Sequence, residues 1–361
     1  MRVALDTSAA LVRPSGIGRY VTELTAALSR IEGVELRTGL PFNLWRGVQG
    51  AAVLAGSREF LYENVRLPAI VRAAGIDVYH ATAARLPARR LSIPIVATVH
   101  DFAAFEFPSW QGTLRGWKLR GQIRRAVAGA HAIIVPSDAI RRELVARAPS
   151  AAARTLAIPH GVAAVFREVR RAAPTSPTFV SVATLERRKN LVVLLEAFAR
   201  VLAGHPAARL RLIGQEQNAG RALRDRVRGL GIADAVTVEG YVSDGHLAAA
   251  YAAATATVYP SVYEGFGLPI LESMAAGAPV ITSAAGAMGE VAGAAALRVD
   301  ALDAGSLAAA MSRIIDDPAL GPRLAAAGRA RAAGFTWESC ARRHLETYRT
   351  AVEDLGRPAP W

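Results

Sequence analysis

Short apolar runs alternate along this chain with longer amphipathic stretches, and polar or glycine-bearing turns separate them. In the first half, 2–6, 76–80, 94–101 and 132–138 read as strands of the buried type, each ending in a polar residue. Amphipathic stretches at 21–29, 60–74 and 191–202 read as helices. The second half restarts with strands at 178–183, 209–214 and 236–242, and a helix runs from His246. Such alternation predicts α/β architecture, in which ligands sit outside the carboxyl ends of the strands.

The densest pattern lies at 259–282, YPSVYEGFGLPILESMAAGAPVIT. A strand ends near Pro260, and a loop follows with Glu264, Gly265, Phe266 and Gly267. A helix opens at Leu268-Pro269, where proline loses no needed N–H. It runs through Glu272 and stops at Gly277, suited to a left-handed cap, before Pro279-Val280-Ile281 start another strand. Free N–H groups at such a helix mouth suit a diphosphate. Glu264 in the loop and Glu272 a turn inside the helix offer two carboxylates at different depths for the hydroxyls of one ligand. The plain alternative is a capped surface helix with two solvated glutamates, and the Gly-Phe-Gly-Leu-Pro between them argues against it.

Glu264 through Glu272 and on to Val280 resembles the E-x7-E signature of retaining GT-B glycosyltransferases of the group 1, or family 4, type. The resemblance implies that Glu264 and the amides of Gly265, Phe266 and Gly267 hold the donor sugar and that Glu272 holds the ribose of the nucleotide, with the helix N-terminus at Leu268 stabilising the diphosphate. It implies two Rossmann-like domains facing across a cleft, with a C-terminal helix crossing back to the first. The expected boundaries are 1–165 for an acceptor domain, 166–177 for a linker carrying two prolines, 178–335 for a nucleotide-sugar domain and 336–361 for the returning helix.

Other landmarks fit the same family. Thr184-Leu185-Glu186-Arg187-Arg188-Lys189-Asn190 resembles its basic loop, which assigns Arg188 and Lys189 to the donor diphosphate. Thr184 stands where the family usually has arginine, and Arg187 where the nearest subgroup, T-L-E-P-R-K-N, has proline. Thr98-Val99-His100-Asp101 resembles a strand whose histidine meets the donor sugar, implying that role for His100. A structural hydrogen bond is the even alternative, and it is favoured for His80. Gly16 and Gly18, in a glycine loop at 15–20, would approach donor phosphates or acceptor. Tyr241 and Val242 would meet the base, and a buried tyrosine beside a turn is the equal alternative. Ser137 and Arg141 match a family segment that helix capping explains as well. His160 stands for asparagine in P-N-G-V, and Gly289 for a usual proline.

Composition narrows the class. With 361 residues, of which 52% are hydrophobic, the chain can fill two cores, and its single cysteine excludes an internal disulfide. No leader and no bilayer-spanning run is read, so a cytoplasmic protein is expected, or one peripheral on the inner face of the membrane. The charge of +13 is scattered, without a nucleic-acid motif, and suits phosphorylated ligands or an anionic membrane. At 110–127 Arg115, Lys118, Arg120, Arg124 and Arg125 accompany Trp117 with no acid. A solvated helix face is the first reading and a helix lying on anionic lipid the second.

The expected activity is retaining transfer of a hexosyl group, first guess mannose from GDP-mannose, to an acceptor hydroxyl in bacterial surface polysaccharide or glycolipid synthesis. UDP-, ADP- or dTDP-sugars and a natural-product acceptor remain open, as does a nucleotide-sugar epimerase or hydrolase. No cofactor and no metal is expected, because the resembled group works without metal and the chain has no D-x-D. The partners expected are the donor, a glycan, glycolipid or small-molecule acceptor and an anionic membrane, with no nucleic acid.

Overall fold

The computed structural model describes residues 1–11, 15–38, 67–87, 89–108, 113–172, 174–215 and 220–356. The chain forms two compact units, Met1–Gly161 with Trp337–Trp361, and Val162–Thr336. Each holds a six-stranded parallel sheet among the described residues.

In the first unit the strands are β1 (Arg2–Leu5), β2 (Glu35–Arg37), β3 (Val78–Ala81), β4 (Ile95–Thr98), β5 (Ala132–Val135) and β6 (Thr155–Ala157), ordered β2-β1-β3-β4-β5-β6. Every residue of β3, β4 and β5 is buried, as expected where helices cover both faces of a parallel sheet. The edge strands β2 and β6 are three residues each, too short to show a strand period, and are absent from the elements the pattern predicts.

The helix Trp337–Glu353 packs on β3, β4 and the helix Gly16–Leu28. A buried chain of hydrogen bonds ties them together. His344 Nδ1 lies 2.8 Å from the Cys340 carbonyl, which can only accept, so the proton is on Nδ1. Burial pushes His344 down to about 4 and His80 well below its ordinary value, so both rings are neutral near pH 7. Tyr20 therefore donates to His344 Nε2 (2.9 Å), Thr98 to Tyr20 (2.9 Å), His80 Nε2–H to Thr98 (2.8 Å), and Tyr348 to His80 Nδ1 (2.7 Å). One carbonyl thus sets the order of every proton in the chain.

The expected glycine loop at 15–20 is corrected by this unit. The helix starts at Gly16, and Ser15 caps it by accepting from Gly18 N–H at 3.1 Å, so both glycines lie in the first turn. The helix expected at 60–74 is seen as Leu67–Ala73, and residues 60–66 lie outside the described residues.

The second unit has β7 (Thr178–Val182), β8 (Arg209–Ile213), β9 (Val236–Glu239), β10 (Ala256–Tyr259), β11 (Val280–Ser283) and β12 (Leu297–Val299), ordered β12-β11-β10-β7-β8-β9. Leu194, Leu195 and Phe198 of the helix Leu191–Gly204 meet Phe179, Leu210 and Leu212 of the sheet, and Leu307 and Met311 of Ala304–Asp316 complete this core. From β7 the chain builds outward to β8 and β9, then returns to the other side for β10. The junction of β7 and β10 is therefore the switch point where open α/β sheets bind ligands.

The stretch at 166–177 departs from a free linker. Its first residues belong to the helix Ala164–Glu168. Arg167 donates to the Ala332 and Phe335 carbonyls at 3.0 and 2.7 Å, and Arg171 to Ala252 O at 2.8 Å. Low apolar content hid these arginine-to-backbone anchors.

Candidate donor-sugar site

Two loops leave the switch point. After β7, Leu185 N–H bonds to Gln215 O at 2.9 Å, and a short turn, Arg187–Lys189, closes on Asn190, which is left-handed at φ 56°. The Asn190 amide donates to the Ala301 carbonyl, so the turn is held from its far end. Beyond β10, Val262 N–H donates to the Arg188 carbonyl at 2.9 Å and docks the second loop on the first. Gly214 supports this arrangement at φ +148°, where a Cβ would run into the Ala183 carbonyl.

The docking brings three predicted residues together. Arg188 Nη1 lies 2.7 Å from Glu264 Oε2, and Lys189 Nζ lies 2.5 Å from Glu264 Oε1. Arg188 Nε also pairs with Glu186 at 2.9 Å, and Lys189 Nζ donates to the Tyr259 hydroxyl at 3.0 Å. The Lys189 and Glu264 side chains are only 9% and 10% exposed, so their charges interact with little screening by water. Burial alone would raise the Glu264 carboxyl, but Lys189 and Arg188 outweigh it and hold it at about 2. Burial pushes Lys189 down, and Glu264 opposes that shift. Roles read separately, diphosphate for the cations and sugar for the carboxylate, thus meet in one ion-paired cluster.

Just beyond, Gly267 takes φ +108°, a region that favours glycine, and starts the helix Leu268–Ala275 with Pro269 in its first turn. Phe266 is buried against Phe335 with ring centroids 6.2 Å apart, which anchors the loop that leads into this helix. Glu272 is 3% exposed, and its Oε2 accepts from Tyr251 at 3.4 Å. Ser273 bonds Thr257 at 2.7 Å and fixes the helix to β10. Tyr241 and Val242 follow β9, two strands from β7. Tyr241 is 54% exposed, so it is not a buried tyrosine.

His100, Gly16 and Gly18 belong to the first unit. His100 Nε2 donates to Thr82 O at 2.8 Å, and its ring meets Tyr20 edge-on at 5.0 Å. The Asp101 carboxylate caps Ala103 N–H at 3.0 Å. Ser137 caps its helix by accepting from Ile140 N–H, and Arg141 donates to Thr155 O at 2.9 Å, so both have structural work. His80 is consumed by the buried chain described above. Sequence reasoning missed Tyr259, Tyr251, Tyr20 and Asn190. Tyr259 and Asn190 sat inside quoted motifs, yet nothing in their spacing named their partners.

The basic stretch forms the helix Thr113–Gly129, and Trp110 lies outside the described residues. Arg120 and Arg125 turn inward, donating to Ala104 O and Pro87 O at 3.0 and 3.1 Å. Leu114 and Trp117, three residues apart, are 83% and 70% exposed. Among the described residues no helix is long and apolar enough to cross a membrane, and no group of three or more His, Cys, Asp or Glu is placed to hold a metal.

Residues 14–165 match glycosyltransferase family 4, and residues 164–331 match the glycosyl transferases group 1. The chain is 30% identical over 287 residues to O-antigen chain mannosyltransferase B of Escherichia coli, covering 75% of this chain and 74% of that one. It is 30% identical over 336 residues to a D-inositol 3-phosphate glycosyltransferase of Thermobispora bispora, covering 83% and 77%. Among solved structures, a sucrose-phosphate synthase from Thermosynechococcus elongatus superposes with TM-score 0.79 at 23% identity over 97% of this chain and 98% of that one. HepE of Anabaena, in complex with UDP-glucose, does so with TM-score 0.74 at 19% identity over 97% and 99%. The fold is that of these GT-B enzymes, and the chain belongs to the group 1 glycosyltransferases.

Proposed function

We propose that this protein is a retaining hexosyltransferase. It takes mannose from GDP-mannose, in the first instance, to an acceptor hydroxyl in bacterial surface polysaccharide or glycolipid synthesis. The observation that carries the reading is the Glu264 carboxylate bracketed by Arg188 and Lys189 at the switch point, one loop away from the mouth of the helix Leu268–Ala275. The mannosyltransferase among the relatives supports the choice of sugar.

When the bond from the anomeric carbon to the diphosphate breaks, negative charge grows on the leaving group. Arg188, Lys189 and the helix N-terminus supply fixed positive potential for that charge, and no metal is invoked. Glu264, ionised and therefore acceptor-only, takes hydrogen bonds from sugar hydroxyls beside the amides of Gly265, Phe266 and Gly267. Glu272 takes the ribose, and Tyr241 and Val242 flank the base. By the family resemblance His100 is assigned to the donor sugar, and Gly16 and Gly18 to the donor phosphates or the acceptor. The exposed Leu114 and Trp117, with Lys118 between basic turns, support peripheral binding to the anionic inner face of the membrane.

A thermal-shift panel of GDP, UDP, ADP, dTDP and their sugar conjugates tests the reading. A native-state ligand at a hundredfold over its Kd adds about 2.7 kcal/mol. A shift with GDP and GDP-mannose alone supports the donor, and a shift with another nucleotide replaces it. No shift from folded protein would refute the nucleotide-sugar site. Proton NMR of the product then reads the anomeric configuration, and inversion would refute retention.

A further inference from the structure

We propose that Tyr259 is a positioning residue for Lys189: its phenol oxygen holds one of the three ammonium N–H groups so that another is left for the donor diphosphate. The inference rests on reading this site as a nucleotide-sugar site.

Tyr259 is the last residue of β10, an interior strand paired to β7 and β11, and it is 2% exposed. Thr282 Oγ1 donates to its carbonyl at 2.9 Å, so its backbone is held by the neighbouring strand. The phenol is carried by an interior strand bonded on both sides, whereas Lys189 comes from a turn. A lysine ammonium has three donors and no acceptor. One N–H goes to Glu264 Oε1 at 2.5 Å and one to Tyr259 at 3.0 Å, and among the described residues the third has no protein partner. The ammonium also stands 5.3 Å from the Tyr259 ring centroid, so face and hydroxyl restrain it together.

The chemistry of the second acceptor matters. Glu264 already offsets one positive charge, and another carboxylate at this place would cancel the potential that a diphosphate needs. A neutral phenol fixes the direction of the ammonium and leaves its charge. Burial keeps the Tyr259 hydroxyl protonated far above neutral pH. The charged groups that act on Lys189 are Glu264 from the loop after β10 and Arg188 and Glu186 from its own turn. Phenylalanine would fill the same ring volume, so the hydroxyl accounts for what such a change removes.

The test titrates GDP and UDP by calorimetry from pH 7 to 10 into the wild type, Tyr259→Phe, Lys189→Ala and the double variant, with Tm recorded for each. Tyr259→Phe is expected to weaken binding roughly five- to tenfold, the scale of one ordinary hydrogen bond, since the phenol acts on the diphosphate only through Lys189. It should also move the alkaline loss of binding to lower pH, because the charged lysine loses an acceptor. In the Lys189→Ala background the same change should add nothing. An equal loss in both backgrounds, with the alkaline limb unmoved, would mean ordinary packing and overturn the inference. Equal binding by wild type and Lys189→Ala would instead refute the reading of the site itself.

Discussion

The Tyr348 hydroxyl meets His80 Nδ1 at 2.7 Å, joining residues 268 apart in sequence. The bond needs a neutral imidazole, as does the one in which Tyr20 donates to His344 Nε2. Burial holds His80 well below the ordinary histidine value and His344 at about 4. An unfolded histidine takes up its proton near pH ~6.5, and the folded unit refuses it until stronger acid. Stability from these groups is therefore whole above that pH and is lost as pH falls through the folded values. Tm measured from pH 8 to 4.5 should begin to fall below about 6.5, and the slope should be shallower in His344→Asn. A flat profile between pH 7 and 5 would refute the neutral chain.

Glu264→Gln leaves Lys189 and Arg188 without their shared anion in a nearly closed site. Breaking such a buried pair is expected to destabilise the second unit by about 3 kcal/mol, seen as a lower urea midpoint. The wild-type carboxyl titrates at about 2 against an ordinary 4.5. Its contribution should be complete above pH 4.5 and disappear as acid approaches the lower value. A variant with unchanged midpoint would mean that the cluster adds nothing to folding.

Gly214→Ala tests the close approach of the loops after β7 and β8. The residue has φ +148°, and a Cβ would strike the Ala183 carbonyl. A loss of about 2 kcal/mol or more is expected, with weaker nucleotide binding because the turn at Arg187–Lys189 hangs from the displaced segment. Wild-type stability would show that the loops separate freely.

Glu272→Ala should weaken nucleoside diphosphate binding by roughly tenfold or more, on the scale of hydrogen bonds to a charged acceptor. Tyr251→Phe removes a long contact of 3.4 Å and should cost less. A titration giving Glu272→Ala the wild-type Kd would remove the ribose assignment.

Leu114→Ser with Trp117→Ser should reduce co-sedimentation with vesicles containing phosphatidylglycerol, and Lys118→Glu should reduce it further, at unchanged Tm. Both apolar side chains are largely in solvent, so folding has little stake in them. Vesicle binding equal to wild type would return the helix to a solvated face.

Local pattern revealed more of the scaffold than of the site. The strand read at 178–183 is seen as Thr178–Val182, and the helix read from Leu268-Pro269 begins at Leu268. Both depend on near neighbours in sequence. Gly16 and Gly18 misled, because glycine in a capped first turn looks like glycine in a loop. The pairing of Glu264 with Arg188 and Lys189 spans 76 and 75 residues and is set by strand order, which no window displays. Tyr259 and Tyr251 were invisible for the same reason: a tyrosine at a strand end or in an alanine-rich helix has no period that names its partner.

The first unit is discontinuous: Val162–Thr336 is inserted between its sheet and its closing helix. Synthesis therefore completes the whole second unit before the ribosome releases His344 and Tyr348. Until then Tyr20 on the helix Gly16–Leu28 and His80 on β3 lack the partners that close their hydrogen bonds, and water must serve them. Assembly of the first unit thus waits on a segment made only after the whole second unit, and a nascent chain stopped at Thr336 should expose the face that Trp337–Glu353 covers.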